Sequence, residues 1–197
     1  MASRAEKEFP SGCIETFTGE CFDLANPKPE QVHIKDIAYA LARICRYTGH
    51  CRRFYSVAAH SVWCADYAKT LGRPRQQQFA VLMHDATEAY IGDINRPLKL
   101  MLGDKIKDIE SRIAWAIKTR FGLSSVDYHV EDSTALATEA RVLMPSKGRG
   151  WNLQYPPFGY LAMSQPQHDE KEFMRFFNRF SQKQFAETIG MEAGNVC

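Results

Sequence analysis

The feature that most constrains this 197-residue chain is an apolar run followed at once by a cluster of polar side chains. The run is FAVLM (79–83), and His84, Asp85, Glu88 and Asp93 come directly after it. Its periodicity predicts a buried helix that continues past Glu88 and ends just before Asp93. On such a helix His84 and Glu88 share a face, and Asp85 lies about 100° further round. Burying these groups is costly unless they are paired or bind a metal, so the stretch indicates a functional site in a helical protein.

The remaining pattern predicts a nearly all-α protein of six or seven helices with a short N-terminal β-hairpin around Gly19. Asp36, Ser56 and Asn95 are suited to be helix N-caps, and Gly92 and Gly122 are suited to end helices. The predicted helices cover about 36–44, 57–71, 75–91, 95–99, 104–121, 126 or 128 to 144, and 169–189. The last helix should turn Phe173, Phe176, Phe177 and Phe180 inward. Because no linker divides the chain, we expect one domain over 1–197, with an ordered loop at 145–168.

The composition is that of an ordinary soluble globular protein, with 45% apolar residues, 24% charged residues and a net charge of +2. No apolar run is long enough to span a bilayer, and the first ten residues lack the apolar core of a signal peptide. The six cysteines include no Cys-x-x-Cys pair. We therefore expect reduced thiols, a cytoplasmic location and no membrane partner.

A metal site is favoured by His60 together with His84 and Asp85. The predicted helices that carry them are joined by a short turn and should pack antiparallel, so the two histidines can meet. A lone histidine on an apolar face is more often a core residue than a ligand. The combination of His60 with His84 and Asp85 is what favours a metal site. Asp132 is the best further ligand because it shares an inward stripe with Glu139, and Glu131 is its rival. Two imidazoles and two carboxylates suit a divalent transition metal, which would activate water for hydrolysis.

The order His60, then His84-Asp85, then Asp132 resembles the H…HD…D pattern of the HD-domain metal-dependent phosphohydrolases. The segment HDATEAYIGDINRPLK (84–99) is similar to the bacterial 5′-deoxynucleotidase branch and its small phage-encoded relatives, which include a dATP triphosphohydrolase. The resemblance covers about residues 32–144. It implies an HD-domain helical bundle, a homo-oligomer (dimer or hexamer) and, for a phage-encoded protein, the host cytoplasm.

The resemblance also implies roles for single residues. One divalent ion (Co, Mn, Zn or Mg) would be held by His60, His84, Asp85 and Asp132. Glu88 and Asp93 would assist catalysis. The nucleotide would be contacted by Arg46 and Tyr47, and its phosphate by Lys99. These residue types fit the chemistry, because hydrolysis at phosphorus needs a positioned hydroxide, a general base and cations on the phosphate oxygens.

The favoured function is hydrolysis of a deoxynucleoside triphosphate, with dATP as the leading substrate. Removal of phosphate from a deoxynucleoside monophosphate is the nearest alternative, and hydrolysis of a signalling nucleotide or another phosphoester is a further one. A different class of function would use the basic, aromatic segment 43–55 to bind nucleic acid and keep the metal for structure. The presence of Glu88 argues against that, since a purely structural site needs no general base. A zinc site at Cys45, His50 and Cys51 is discounted because a second ligand pair of recognised spacing is missing.

Overall fold

The computed structural model describes residues 12–192, so the segment analysed for a signal peptide lies outside the described residues. The described part is helical apart from one short hairpin, which confirms the predicted fold class. Its strands and α-helices are β1 Cys13–Glu15, β2 Cys21–Asp23, α1 Ile34–Leu41, α2 Val57–Thr70, α3 Arg75–Leu82, α4 Glu88–Ile91, α5 Arg96–Leu102, α6 Asp104–Phe121, α7 His129–Leu143 and α8 Pro166–Glu192. Two 3₁₀ turns, Pro29–Gln31 and Arg46–Gly49, lie before and after α1. Within the described residues, no helix combines the length and apolar character needed to cross a bilayer.

The hairpin is antiparallel and pairs Ile14 with Phe22. Cys13 and Cys21 are joined by a disulfide, with their Cα atoms 5.4 Å apart. The expectation of six reduced cysteines is therefore wrong for this pair, because strand pairing brings together two cysteines that show no recognisable motif in sequence. The Phe22 ring is fully buried and stacks on Tyr90 of α4 with centroids 3.7 Å apart, which fixes the hairpin to the helical body.

Helix α1 begins at Ile34 with His33 as its N-cap, so the prediction that Asp36 caps this helix is wrong. Asp36 is buried inside the first turn and accepts hydrogen bonds from the backbone N and Oγ1 of Thr18, at 2.7 and 2.9 Å. The carboxylate is used to satisfy donors of the hairpin turn, a long-range partner that local sequence does not indicate.

The other predicted helix boundaries agree well with the structure. Ser56 Oγ accepts a hydrogen bond from the Ala59 N–H at 3.0 Å, which is the expected cap of α2. Asn95 Oδ1 likewise accepts from the Leu98 N–H at 3.1 Å at the start of α5. Gly122 ends α6 in the left-handed conformation, with φ 61° and ψ 39°.

Helix α8 lies against α1, α2 and α3 and supplies much of the core. It begins at Pro166, three residues before the predicted start. Its inward residues are buried as predicted: Phe173, Phe176, Phe177 and Phe180. This helix holds α2 and α3 in place from one side and so supports the segments that carry the candidate ligands.

The predicted continuous helix over 75–91 is wrong. Helix α3 ends at Leu82, residues 83–87 form a turn, and α4 is a single short turn of helix. His84 bonds twice to the Val81 carbonyl, through its backbone N–H at 3.3 Å and through ring Nδ1 at 2.7 Å. These contacts to residue i−3 tighten the chain out of the α-helical path. His84 and Glu88 are therefore not neighbours on one helix face.

Candidate metal centre

Four predicted ligands from three separate segments meet at one point. His60 comes from α2, His84 and Asp85 from the turn after α3, and Asp132 from the first turn of α7. His60 Nε2 lies 3.2 Å from His84 Nε2, 3.4 Å from Asp85 Oδ2 and 3.3 Å from Asp132 Oδ1. His84 Nε2 lies 3.2 Å from Asp85 Oδ2. The structure thus brings together all four residues of the ligand set.

These separations fit the donor atoms of one small divalent ion. With metal–ligand bonds of roughly 2.0–2.1 Å, neighbouring donors lie about 3.4 Å apart in a tetrahedron and about 3.0 Å apart in an octahedron. The observed distances of 3.2–3.4 Å fall in that range. His60 is fully buried, whereas the Asp132 side chain is 45% exposed. One side of the centre therefore remains accessible, as in sites that bind water or substrate rather than in closed structural sites.

Both histidines are held with Nε2 directed at the centre. His60 Nδ1 lies 2.6 Å from Glu139 Oε1, and His84 Nδ1 lies 2.7 Å from the Val81 carbonyl oxygen. A carboxylate and a carbonyl can only accept, so Nδ1–H donates in both rings, and in the neutral ring Nε2 then carries the lone pair that a metal needs. Such partners fix the ring orientation and the tautomer of metal-binding histidines.

Glu139 is the main functional residue to which the sequence analysis assigned no role. It is fully buried and accepts hydrogen bonds from Arg46 Nε at 2.8 Å and Tyr47 OH at 2.6 Å, besides His60. Burial alone would raise the pKa of this carboxyl, but Arg46 and His60 outweigh burial and hold its pKa below the usual range. The signal in the sequence is its spacing of seven from Asp132, two helical turns along one face.

Glu88 and Asp93 lie close to the centre but differ in their hydrogen bonding. Glu88 is buried, and among the residues that the structure describes its Oε2 has no hydrogen-bond partner. Burial, followed by the charges of Asp85 and Asp93, raises the pKa of Glu88 to about 9. The carboxyl therefore carries a proton at neutral pH unless a nearby cation stabilises its charge. Asp93 Oδ2 accepts a hydrogen bond from the Tyr47 N–H at 3.1 Å, which joins it to the Arg46–Gly49 turn.

The two residues predicted to contact phosphate, Arg46 and Lys99, have different partners in the structure. Arg46 is buried, with Nη1 3.6 Å from Asp85 Oδ2, so its charge reaches the centre. Lys99 instead forms an ion pair with Glu110 of α6, with Nζ and Oε1 2.7 Å apart. The structure therefore brings Arg46 to the ligands, whereas Lys99 is engaged by a neighbouring helix.

Glu131, the rival of Asp132 in the sequence, is paired elsewhere. Its fully buried carboxylate accepts two hydrogen bonds from Arg73, at 2.7 and 3.2 Å, and does not take part in the cluster of ligands. The sequence left the choice open because both carboxylates lie in the first turn of α7. Only the position of Arg73, after α2, decides between them.

Two further side chains approach the centre. Cys64 lies one turn after His60, with Sγ 3.6 Å from His60 Nε2, so a set of His60, Cys64 and His84 is geometrically possible. Burial raises the pKa of the Cys64 thiol, which makes it a poorer ligand than the ionised carboxylates. The Tyr128 ring lies 4.9 Å from the His84 ring and is exposed.

A separate cavity of about 370 Å³ lies on another face of α2, between residues 158–163 and α8. Aromatic residues form much of its wall, including Trp63, Tyr67 and Phe158. None of the four candidate ligands lines it. The cavity is therefore separate from the ligand cluster.

No protein-family model matches the chain. The chain is 38% identical to YfdR, an uncharacterized protein of Escherichia coli strain K12, over 177 residues that cover 86% of this chain and 96% of YfdR. It is 34% identical to RCAP_rcc00048, an uncharacterized protein of Rhodobacter capsulatus, over 113 residues that cover 55% of this chain and 58% of that protein. Since the match to YfdR spans nearly the whole of that protein, the chain belongs to the same family as YfdR.

Proposed function

We propose that this protein is a metal-dependent phosphohydrolase of the HD-domain type that acts on deoxynucleotide 5′-phosphates. The favoured reaction releases a deoxynucleoside and inorganic triphosphate from a dNTP, with dATP as the leading substrate. The observation that carries the proposal is the convergence on His60, whose Nε2 lies 3.2–3.4 Å from a donor atom of each of His84, Asp85 and Asp132, with one side accessible.

His60, His84, Asp85 and Asp132 would hold one divalent cation. When bound, such an ion supplies a water molecule of lowered pKa and a positive charge for a phosphate oxygen. Glu139 and the Val81 carbonyl keep both imidazoles in the tautomer that this binding requires.

The residues around the ligands have complementary tasks. Arg46 presents its guanidinium to a phosphate oxygen, for which its planar set of donors is suited. Lys99 exchanges its partner Glu110 for phosphate and brings a second positive charge. With the cation present Glu88 would be ionised, and it would receive the proton of the attacking water at Oε2, which has no hydrogen-bond partner among the described residues. Asp93 orients water or protonates the leaving 5′-oxygen, and the Tyr47 ring offers a flat surface to the sugar or base.

Two alternatives remain as outcomes of the same test. A 5′-nucleotidase acting on dNMPs would use the same ligands and differ in the number of cations along the phosphates. A nucleic-acid-binding module would need free cations on segment 43–55. Arg46 is bonded to Glu139, and Arg43 is bonded to Glu170 at 2.8 Å and lies over the Tyr39 ring. Two of the four arginines of the segment are thus engaged internally, whereas Arg52 is exposed.

The test is a hydrolysis panel. Purified protein with Co²⁺, Mn²⁺, Zn²⁺ or Mg²⁺ is incubated with each dNTP, each dNMP and the matching ribonucleotides, and the products are separated by chromatography. Deoxyadenosine and triphosphate from dATP would support the favoured reaction. Turnover of dNMPs alone would favour the nucleotidase. No turnover with any metal would refute the proposal.

Matched variants test whether the ligand cluster is responsible. Asp132→Asn and His84→Ala should abolish turnover and lower the amount of metal that copurifies. Asp104→Asn is the control, because Asp104, like Asp132, is a carboxylate in the first turn of a helix. Unlike Asp132, it is 95% exposed and pairs with Lys107. Full turnover by Asp132→Asn and His84→Ala would rule out the metal mechanism.

A further inference from the structure

Two free cysteines lie side by side at the base of the turn that carries Arg46 and Tyr47. Cys45 Sγ and Cys51 Sγ are 3.6 Å apart, and both residues are partly exposed. The residues between them include the whole 3₁₀ turn Arg46–Gly49. We propose that Cys45 and Cys51 form a reversible disulfide that reshapes this turn and lowers nucleotide turnover at the candidate centre. The effect on turnover rests on the proposed function, whereas the disulfide does not.

The sulfur atoms are close enough to react after a small local change. A disulfide has an S–S length of about 2.05 Å, so the two atoms must approach by roughly 1.5 Å. The Cys51 thiol now donates a hydrogen bond to the Arg53 carbonyl at 3.0 Å, and rotation about its Cα–Cβ bond would release it. Side-chain rotation can supply part of the approach, and the backbone between the cysteines must supply the rest.

The turn has little freedom to absorb that change at its ends. The Arg46 N–H donates to the Tyr55 carbonyl at 3.0 Å, and the Arg52 N–H donates to the Leu143 carbonyl at 2.9 Å. Between these anchors, Tyr47 and Thr48 have φ values of 58° and 54°, which residues other than glycine rarely adopt. A contraction therefore acts mainly on this segment, which is held in an uncommon conformation by its surroundings.

The contacts of the segment explain why turnover would respond. Tyr47 OH and Arg46 Nε bond to Glu139 at 2.6 and 2.8 Å, and the Tyr47 N–H bonds to Asp93 at 3.1 Å. Hydrogen bonds of this kind tolerate changes of only a few tenths of an ångström. Because a displacement of about 1 Å near a reacting group lowers rates by on the order of 100-fold, we expect kcat/KM to fall by tenfold to 100-fold in the oxidised protein.

The chemistry is thiol–disulfide exchange with a small disulfide such as oxidised glutathione. One cysteine thiolate attacks a glutathione sulfur, its S–S bond breaks, and one glutathione leaves as the thiolate. The second cysteine thiolate then attacks the protein sulfur of the mixed disulfide and releases the second glutathione. The two cysteines lose two electrons and two protons in total, and glutathione disulfide is reduced to two thiols.

The experiment uses the full chain treated with oxidised glutathione at a series of concentrations. Peptide mapping without reduction should find a Cys45–Cys51 crosslink, and hydrolysis of dATP with the activating metal should fall in parallel and recover with dithiothreitol. Cys51→Ser and Cys45→Ser are the matched controls. Both keep Cys64 and the Cys13–Cys21 disulfide, so a response through those sulfurs would persist in them. We expect both variants to hydrolyse dATP at the reduced wild-type rate. Their remaining cysteine can form only a mixed disulfide with glutathione, which leaves the turn uncontracted, so the loss of turnover should be much smaller than in the wild type.

A second readout separates this inference from the proposed function. Hydrogen exchange of residues 46–52 should become faster on oxidation, most of all at the Tyr47 N–H that bonds to Asp93. If the reduced protein hydrolyses no nucleotide, the proposed function is refuted, while a mapped crosslink with faster exchange still supports the disulfide. Absence of a Cys45–Cys51 crosslink at high glutathione disulfide would overturn the inference. A crosslink that changes neither exchange nor turnover would overturn it as well.

Discussion

At the scale of single residues, the buried carboxylate of Glu139 organises the candidate centre. It lies behind His60 and also binds Arg46 and Tyr47, so one side chain positions a ligand, a cation and an aromatic ring. Its burial is tolerated because three donors surround it. This arrangement explains how Arg46 can be buried beside the ligands without an unpaired charge.

Glu139→Gln should weaken metal binding by about 10-fold to 100-fold, since the amide orients and polarises His60 less well. It should also lower the free energy of unfolding by roughly 3–5 kcal/mol, because Arg46 loses its buried partner. Calorimetric metal titration of folded protein measures the first effect, and urea unfolding the second. Glu131→Gln removes a second buried carboxylate of the same helix, one that pairs with Arg73. It should lower stability and leave metal affinity unchanged, and equal losses of affinity in both variants would contradict the role given to Glu139.

Glu88 should make the metal-free protein less stable as the pH rises. The pKa of Glu88 is raised from 4.5 to about 9, chiefly by burial, so the folded state keeps a proton that the unfolded chain loses. Its contribution to stability is present below pH 4.5 and is lost progressively as the pH approaches 9. In Glu88→Gln this part of the dependence should vanish, as measured by urea unfolding in a chelator from pH 5 to 9. Parallel profiles for the variant and the wild type would show that Glu88 is already ionised. The variant should also lose turnover under the proposed function.

At the scale of elements, α2 is the helix on which the centre depends most. It carries His60, and its first turn is fixed by Ser56, whose Oγ accepts from the Ala59 N–H and donates to Asp169 Oδ2 of α8 at 2.7 Å. Ser56 therefore provides a hydrogen-bond acceptor for a backbone N–H in the first turn of α2, and it also joins α2 to α8.

Ser56→Ala should lower the free energy of unfolding by about 1–2 kcal/mol, because both the cap and the contact to Asp169 are lost. Ser61 provides a matched control in the same helix. It is fully buried, but within the described part of the chain its Oγ has no hydrogen-bond partner. Ser61→Ala should be neutral or slightly stabilising in the same urea experiment. A loss in Ser61→Ala as large as that in Ser56→Ala would show that the cap is not the cause.

The turn at 83–87 is the element that sequence periodicity describes least well. Helical periodicity over 75–91 indicated His84 and Asp85, which the structure places beside His60, but it predicted the wrong backbone geometry between residues 82 and 88. The break after Leu82 coincides with two contacts of His84 to the Val81 carbonyl, one from its backbone N–H and one from its imidazole. Short polar segments are where such side-chain contacts can override a regular pattern.

At the scale of the whole molecule, the candidate ligands join three segments that are far apart in sequence. A cation bound there would crosslink α2, the turn after α3 and α7 in the folded state only. A ligand at 100 times its Kd adds about 2.7 kcal/mol of stability, which for a chain of this size is a rise in Tm of roughly 5–10 °C. We expect this rise when the preferred divalent metal is added to chelator-treated protein, measured by differential scanning calorimetry. Asp132→Asn should respond much less, and an equal rise in that variant would place the stabilising ion elsewhere.

The sequence by itself determined the helical class, most helix boundaries, the phenylalanines of α8 and three of the candidate ligands, His60, His84 and Asp85. These depend on local properties: periodicity, capping residues and the donor chemistry of His and Asp. Only the tertiary structure decided between Asp132 and Glu131, gave Glu139 its partners, paired Lys99 with Glu110 and brought Cys45 beside Cys51. The physical reason is the same in each case: a buried polar group takes whichever partner the packing of distant segments places within hydrogen-bond distance, and no local pattern records that partner.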